Sequence, residues 1–213
     1  MKITAIILVL SLLPLAYAHE TAEKSTYPGF RPDSESGAAF VAEIKTAVMR
    51  VYPTIIRTPT NTYFSIESQQ QIVKFINDSK FTTVTTDSSK VDPGELKGAA
   101  QFEWFMNDMA VIGKAIQSRA IDDDYILVME VLFPPARGNR QSVFGIHLII
   151  LNAEGENAFS FLLNSHHQMF VDADMIVDDL SEKSRAELIR KATEVGMQAL
   201  ILQIRQETAS KDE

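Results

Sequence analysis

The stretch from residue 124 to 133, Asp-Tyr-Ile-Leu-Val-Met-Glu-Val-Leu-Phe, constrains the fold more than any other part of the chain. It is the strongest strand signal present, and Pro134, Pro135, Gly138 and Asn139 close it off. Glu130 interrupts the apolar run. A carboxylate in an apolar strand needs either an open face or a cation beside it, and the sequence does not place that cation.

Helix and strand signals alternate around this run. Residues 38–45 read as a short helix with Phe40, Val41 and Ile44 inward. Residues 48–57 read as a strand that Pro53 makes an edge or a bulged one, and 58–62 as a loop. Ser65 caps a helix over 66–78 whose apolar face is Ile72, Val73, Phe75 and Ile76. Residues 81–86 form a β-branched strand. Asp92, Pro93 and Glu95 have the order of a helix start. Phe102, Phe105, Met106, Met109, Ile112 and Ile116 follow at helical spacing, a stripe that should lie on a sheet.

Beyond the strong strand, 143–151 and 157–165 predict a hairpin turning at Ala153-Glu154-Gly155-Glu156, and Met169 to Val171 continue an edge. Ser181 or Ser184 opens a last helix running to about Gln206. The expected fold class is α/β (α+β): a mixed sheet of about five strands with an antiparallel C-terminal hairpin, packed by three to four helices.

The ends of the chain read differently. Lys2, an apolar run from Ile3 to Ala16 and the exit Ala16-Tyr17-Ala18 describe a secretory signal peptide, residues 1–18, cleaved after Ala18. Residues 19–37 form a flexible polar arm, 38–206 a single α/β domain and 207–213 a polar tail. The expected location is periplasmic or secreted. After Ala18 no apolar stretch approaches the ~20 residues that span a bilayer, so no membrane insertion is expected after cleavage.

The chain contains no cysteine. That excludes disulfides, thiolate metal sites, a cysteine nucleophile and a lipid anchor built on cysteine. A domain of this length can rely on its core, which favours a bacterial exported protein. Its formal charge is −8, without a basic cluster, which excludes nucleic acid as a natural partner. One sequon, Asn77-Asp78-Ser79, matters only in a eukaryotic host.

The plan of elements resembles a group of envelope proteins: the curli-secretion lipoprotein family, the lipoprotein activators of penicillin-binding proteins and the N-terminal domain of the translocation protein TolB. The matching pieces are 66–86 with its Phe-Thr-Thr-Val strand, 109–133, and 145–161 with its turn at Glu-Gly-Glu. The resemblance implies a binding or assembly role in the envelope without catalysis. The lipoprotein members' lipobox cysteine is absent here, which removes their anchor.

Candidate chemistry is sparse. His19 would open the mature chain, and an N-terminal histidine can hold copper only with a second positioned histidine. His166 and His167 precede Asp172 and Asp174, a plausible oxygen and nitrogen set. Neighbours on a strand, however, face opposite ways. With the turn at Glu154-Gly155, His147 lies opposite Leu162 and four residues from His166 along one face, about 13 Å at ~3.3 Å per residue. One ion cannot bridge them, so no metal ligands and no cofactor are expected. Asp122, Asp123 and Asp124 are contiguous, whereas calcium loops space their ligands at alternate positions; they read as a solvated loop.

The same register puts Phe144, Ile146, Leu148, Ile150, Phe159, Phe161 and Leu163 on a core face. The other face mixes His147, Ser160, Asn164 and His166 with Val143, Ile149, Leu151 and Leu162, and a helix covering it is favoured over an open contact surface. No G-x-S-x-G, S-x-x-K or H-E-x-x-H motif occurs. Trp104 lies off the main stripe of its helix and could anchor a partner.

The function expected from the sequence is an exported, soluble, non-catalytic binding or accessory protein of the bacterial envelope, with another envelope protein as partner. Trp104, His147, Asn164 and His166 are the partner-binding candidates, and the oligomeric state is left open. The alternatives are a secreted hydrolase or metal-dependent enzyme with its site near the C-terminal hairpin, and a carrier of a small apolar ligand.

Overall fold

The computed structural model describes residues 35–95, 101–119 and 121–209. The signal segment, His19, most of the polar arm and the end of the tail lie outside them. The helices are α1 (Glu35–Glu43), α2 (Ile66–Ser79), α3 (Gln101–Gln117), α4 (Gln168–Asp172) and α5 (Glu182–Ala209). The strands are β1 (Val48–Val51), β2 (Thr54–Arg57), β3 (Thr62–Ser65), β4 (Thr83–Thr86), β5 (Tyr125–Leu132), β6 (Gln141–Ser142), β7 (Gly145–Asn152), β8 (Asn157–Asn164) and β9 (Ile176–Val177).

The strongest strand signal becomes the middle of the sheet. β5 pairs in parallel with β1 through Met49↔Tyr125 and with β2 through Ile55↔Glu130. The partner on β5 lies 76 residues ahead in β1 and 75 ahead in β2, so the path from 48 to 57 carries one extra residue at Tyr52-Pro53. This is the bulge that Pro53 predicted. β4 flanks β1 in parallel and β3 flanks β2 antiparallel. On the other side of β5 come β7 and β8, both antiparallel to their neighbours. The mixed sheet thus runs β8, β7, β5, then β1 with β2, then β4 with β3, while β6 and β9 form a separate two-stranded ribbon.

Alternation along β5 divides the core in two. Leu127, Met129 and Val131 join Met49, Ile146 and Leu148 beneath α1, α2 and α5, which contribute Phe40, Ile44, Ile72, Ile76, Leu188 and Leu200. Ile126 and Val128 join Ile55, Ile149, Leu151 and Leu162 beneath α3, whose Phe105, Met109, Ile112 and Ile116 carry the expected stripe, while Met106, counted in that stripe, is 43% exposed. Burying each such side chain contributes ~1.5–3 kcal/mol. The half-apolar hairpin face is therefore covered by a helix, the favoured of its two readings.

Local chemistry fixes the element ends. The Ser65 hydroxyl accepts the Ser68 N–H at 3.1 Å and caps α2, and Lys80 closes it at φ 52 by donating to Asn77 and Ile76 carbonyls. Asn77 is exposed on that helix. Gly155 turns the hairpin at φ 75, and a Cβ there would stand 2.5 Å from the Gly113 carbonyl oxygen. The turn thus leans directly on the α3 backbone.

Several expectations are corrected. Thr62 opens a strand, β3, that runs to Ser65, instead of ending the loop. Asp92 does not begin a helix; its carboxylate accepts the N–H of Gly94, which sits at φ 74, and the described part of α3 begins at Gln101. Residues 168–172 are a helix, not a strand edge, capped by His167 in extended backbone. Phe144 precedes β7 and is 42% exposed instead of lying in the core. Val143 packs with the α5-side core. The aspartate run is not simply solvated: Asp123 is buried and binds Arg50, and Asp124 accepts the Val48 N–H at 2.8 Å.

Candidate functional site

Four polar side chains meet beneath α3 at the C-terminal end of β5. The alternation that sends Ile126 and Val128 toward α3 sends Glu130 there as well. His147 is paired with Glu130 across the β5–β7 ladder, so its ring faces the same way. Arg57, at the end of β2, arrives from the opposite flank of β5. Asp108 descends from α3 between Phe105 and Met109. Asp108, Glu130 and His147 are 0% exposed and Arg57 is 3% exposed.

Arg57 is the cation that the strand carboxylate requires. Its Nε donates to Glu130 Oε1, its Nη2 to Asp108 Oδ1 at 2.8 Å, and its Nη1 to the Gly94 carbonyl at 2.8 Å. Each carboxylate thus spends one oxygen on the guanidinium. The second oxygens turn toward the imidazole: His147 Nδ1 lies 2.6 Å from Glu130 Oε2 and 3.8 Å from Asp108 Oδ2. None of these approaches has hydrogen-bond alignment. Asp108 Oδ2, Glu130 Oε2 and both ring nitrogens of His147 are buried without a hydrogen-bond partner. Phe105 packs edge-on against the His147 ring, with centroids 4.9 Å apart.

Burial pushes the Asp108 carboxyl up to about 9, the adjoining Glu130 charge adding to it against the pull of Arg57. Burial also works to raise Glu130, but contact with His147 and the Arg57 charge outweigh it and hold Glu130 down at about 2. One carboxyl then keeps its proton at neutral pH, and the other's charge is matched by Arg57. Chemically the group offers an imidazole nitrogen and two carboxylate oxygens within 4.8 Å of one another, a possible ligand set for a cation.

The sequence candidates divide. His147 belongs to this buried group, so its side chain cannot meet a partner at the surface. The other three gather at one end of the sheet. The Asn164 amide donates to Gln101 Oε1 at 3.1 Å, and its own oxygen accepts the His166 N–H at 2.9 Å. The Trp104 ring packs on Phe144, centroids 6.1 Å apart, and Gly145 pairs with Asn164 next to them. His166 is exposed, and Trp104 and Asn164 are half-buried. Asp172 is exposed and accepts a hydrogen bond from Gln168. Burial holds His167 below the ordinary histidine value.

Two surface hollows lie elsewhere. One is lined by Ser65, Ser68, Gln71, Ile189 and Arg190, and the other by Phe75, Ser79, Gln198, Ile201, Leu202 and Arg205. Neither touches the buried group. Sequence reasoning found Glu130 as an anomaly and His147 as a candidate, but missed Arg57 and Asp108. The available signals were a lone arginine after Ile55-Ile56 and an aspartate inside the apolar stripe of α3. No helix among the described residues is long and apolar enough to cross a membrane. Comparison with protein-family models and with curated proteins returns no match for this chain.

Proposed function

We propose that this chain is an exported, non-catalytic binding protein that serves as an accessory in the bacterial envelope, and that it meets another envelope protein through the end of the sheet carrying Trp104, Phe144, Asn164 and His166. The observation behind this reading is how chemistry is divided between interior and surface. Asp108, Glu130 and His147 are fully buried, which leaves them no open face toward a substrate. Phe144 is 42% exposed and packs at a tilt against Trp104, while Asn164 and His166 adjoin them with polar groups. An aromatic anchor with a polar rim is the usual anatomy of a protein-binding spot. The export signal expected from residues 1–18 and the resemblance in plan to envelope assembly proteins support this choice of compartment and partner.

The test is site-specific photo-crosslinking in intact cells. A photoreactive residue at position 144 should give a discrete protein adduct in the envelope fraction, and Trp104→Ala should abolish it. The same residue at position 202, where Leu202 is exposed on α5, should not give that adduct. If position 144 yields no adduct, or the same adducts as position 202, the proposed surface is wrong. N-terminal sequencing of the exported form should begin at His19; a form retaining Met1 in the cytoplasm would refute the compartment.

A further inference from the structure

We propose that Asp108, Glu130 and His147 bind a divalent first-row transition ion, with Arg57 orienting both carboxylates from outside the coordination sphere. The proposal stands independently of the envelope function.

Three observations carry it. First, Glu130 Oε2, Asp108 Oδ2 and His147 Nδ1 converge from three different elements and are buried, and although Nδ1 stands 2.6 Å from Oε2 none of the three makes an aligned hydrogen bond. Buried polar atoms in proteins almost always find partners, so several unpartnered ones aimed at one another indicate a missing participant. Second, Arg57 holds the outer oxygen of each carboxylate and leaves the inner one turned toward the imidazole. That is how outer-shell groups hold ligands ready for a metal. Third, the separations suit an ion after small side-chain rotations. Bonds of ~2.1 Å at tetrahedral angles set ligand atoms about 3.4 Å apart. The 2.6 Å gap from Nδ1 to Oε2 would open and the 3.8 Å gap to Oδ2 would close, each by less than an ångström.

The donors narrow the ion. One imidazole and two carboxylates suit Zn²⁺, Mn²⁺ or Fe²⁺. Cu⁺ prefers sulfur, and Ca²⁺ takes six to eight oxygens, more than this cluster offers. The ligands come from α3, β5 and β7, so a bound ion would fasten the helix to the sheet. With all three ligands buried, the ion must enter during folding or when α3 opens locally.

The mature chain would be unfolded in chelator and refolded with Zn²⁺, Mn²⁺ or Co²⁺ alone, or with none, then desalted and analysed for metal and melting temperature. The expected result is about one equivalent retained, with a higher melting temperature than the metal-free protein and, for Co²⁺, visible bands of nitrogen and oxygen ligation. His147→Gln and Asp108→Asn should each lose the retained ion, whereas His166→Gln should keep it. Arg57→Lys should weaken binding by ~10–100-fold. If one variant does not fold, the other and the wild-type metal content still decide the matter. The proposal is overturned if wild type retains less than about a tenth of an equivalent of every ion, or if full retention survives in a folded His147→Gln or Asp108→Asn protein. Either result would leave the four residues as a bare ion cluster.

Discussion

Arg57 holds two buried carboxylates, and its removal should be felt throughout the domain. Arg57→Met keeps the bulk of the side chain but leaves Glu130 and Asp108 buried without the guanidinium. Loss of one partner from a buried ion pair costs ~3–5 kcal/mol. Urea denaturation should show a midpoint lowered by that energy divided by the slope, with the slope itself unchanged. At the surface, Asp179 is held down at about 2 by hydrogen bonds from the Ser181 and Ser184 hydroxyls and the Ser181 N–H. Because its folded value lies below its ordinary 3.8, its contribution is fully present above that value and lost as pH falls toward 2. Protection factors of amides in the first turn of α5, corrected for intrinsic exchange, should therefore fall below pH 4, and Asp179→Asn should remove that dependence. Neither residue stood out in the sequence. Arg57 lies 73 positions from Glu130 and 51 from Asp108. Nothing local distinguishes it from a solvated arginine, whereas Glu130 was conspicuous because its immediate neighbours are apolar.

Elements were more legible than contacts, and the hairpin shows why. His147 opposite Leu162 is observed as expected, but the pairing next to the turn is shifted by one, Leu151 opposite Asn157, and an irregularity between Ile150 and Leu151 restores the expected register. The cover of its second face by α3 followed from two complementary apolar patterns. The misreadings occurred where an apolar triplet or a capping pattern stood alone. Met169 to Val171 looked like a strand edge, yet the segment coils into α4 because it has no ladder to join. Asp92 has the order of a cap, but Gly94 makes a turn with it instead. The contact between the hairpin turn and α3 yields a sharp expectation. Gly155→Ala meets both the positive φ and the Gly113 carbonyl. It should destabilise by more than the ~1 kcal/mol that glycine replacement usually shifts, measured by thermal unfolding. Ala at Gly138, which has positive φ but no atom within 4 Å, should cost less.

For the whole molecule, β5 is the axis. It is paired along both edges, and its side chains are buried on both faces from Tyr125 to Leu132. Native-state hydrogen exchange should find its slowest amides between Ile126 and Val131, with rates that report global unfolding. Faster exchange there than in β4, at the far edge of the sheet, would mean that the domain opens through its centre.

The extra residue at Tyr52-Pro53 has a consequence for how this lineage can vary. Before it, Met49 and Val51 point to the α5 side; after it, Ile56 points there, and Ile55 and Arg57 point to α3. Were the extra residue drawn into a flat ladder instead of bulging out of it, everything downstream would exchange faces. Arg57 would then be driven into hydrocarbon and Ile56 set among the carboxylates. Chains with one residue deleted at 52–53 keep Ile55, Ile56 and Arg57 opposite Glu130, Val131 and Leu132, and should still accumulate as soluble protein. The bulge, more than the composition of this short segment, keeps the charge on the correct side of the sheet.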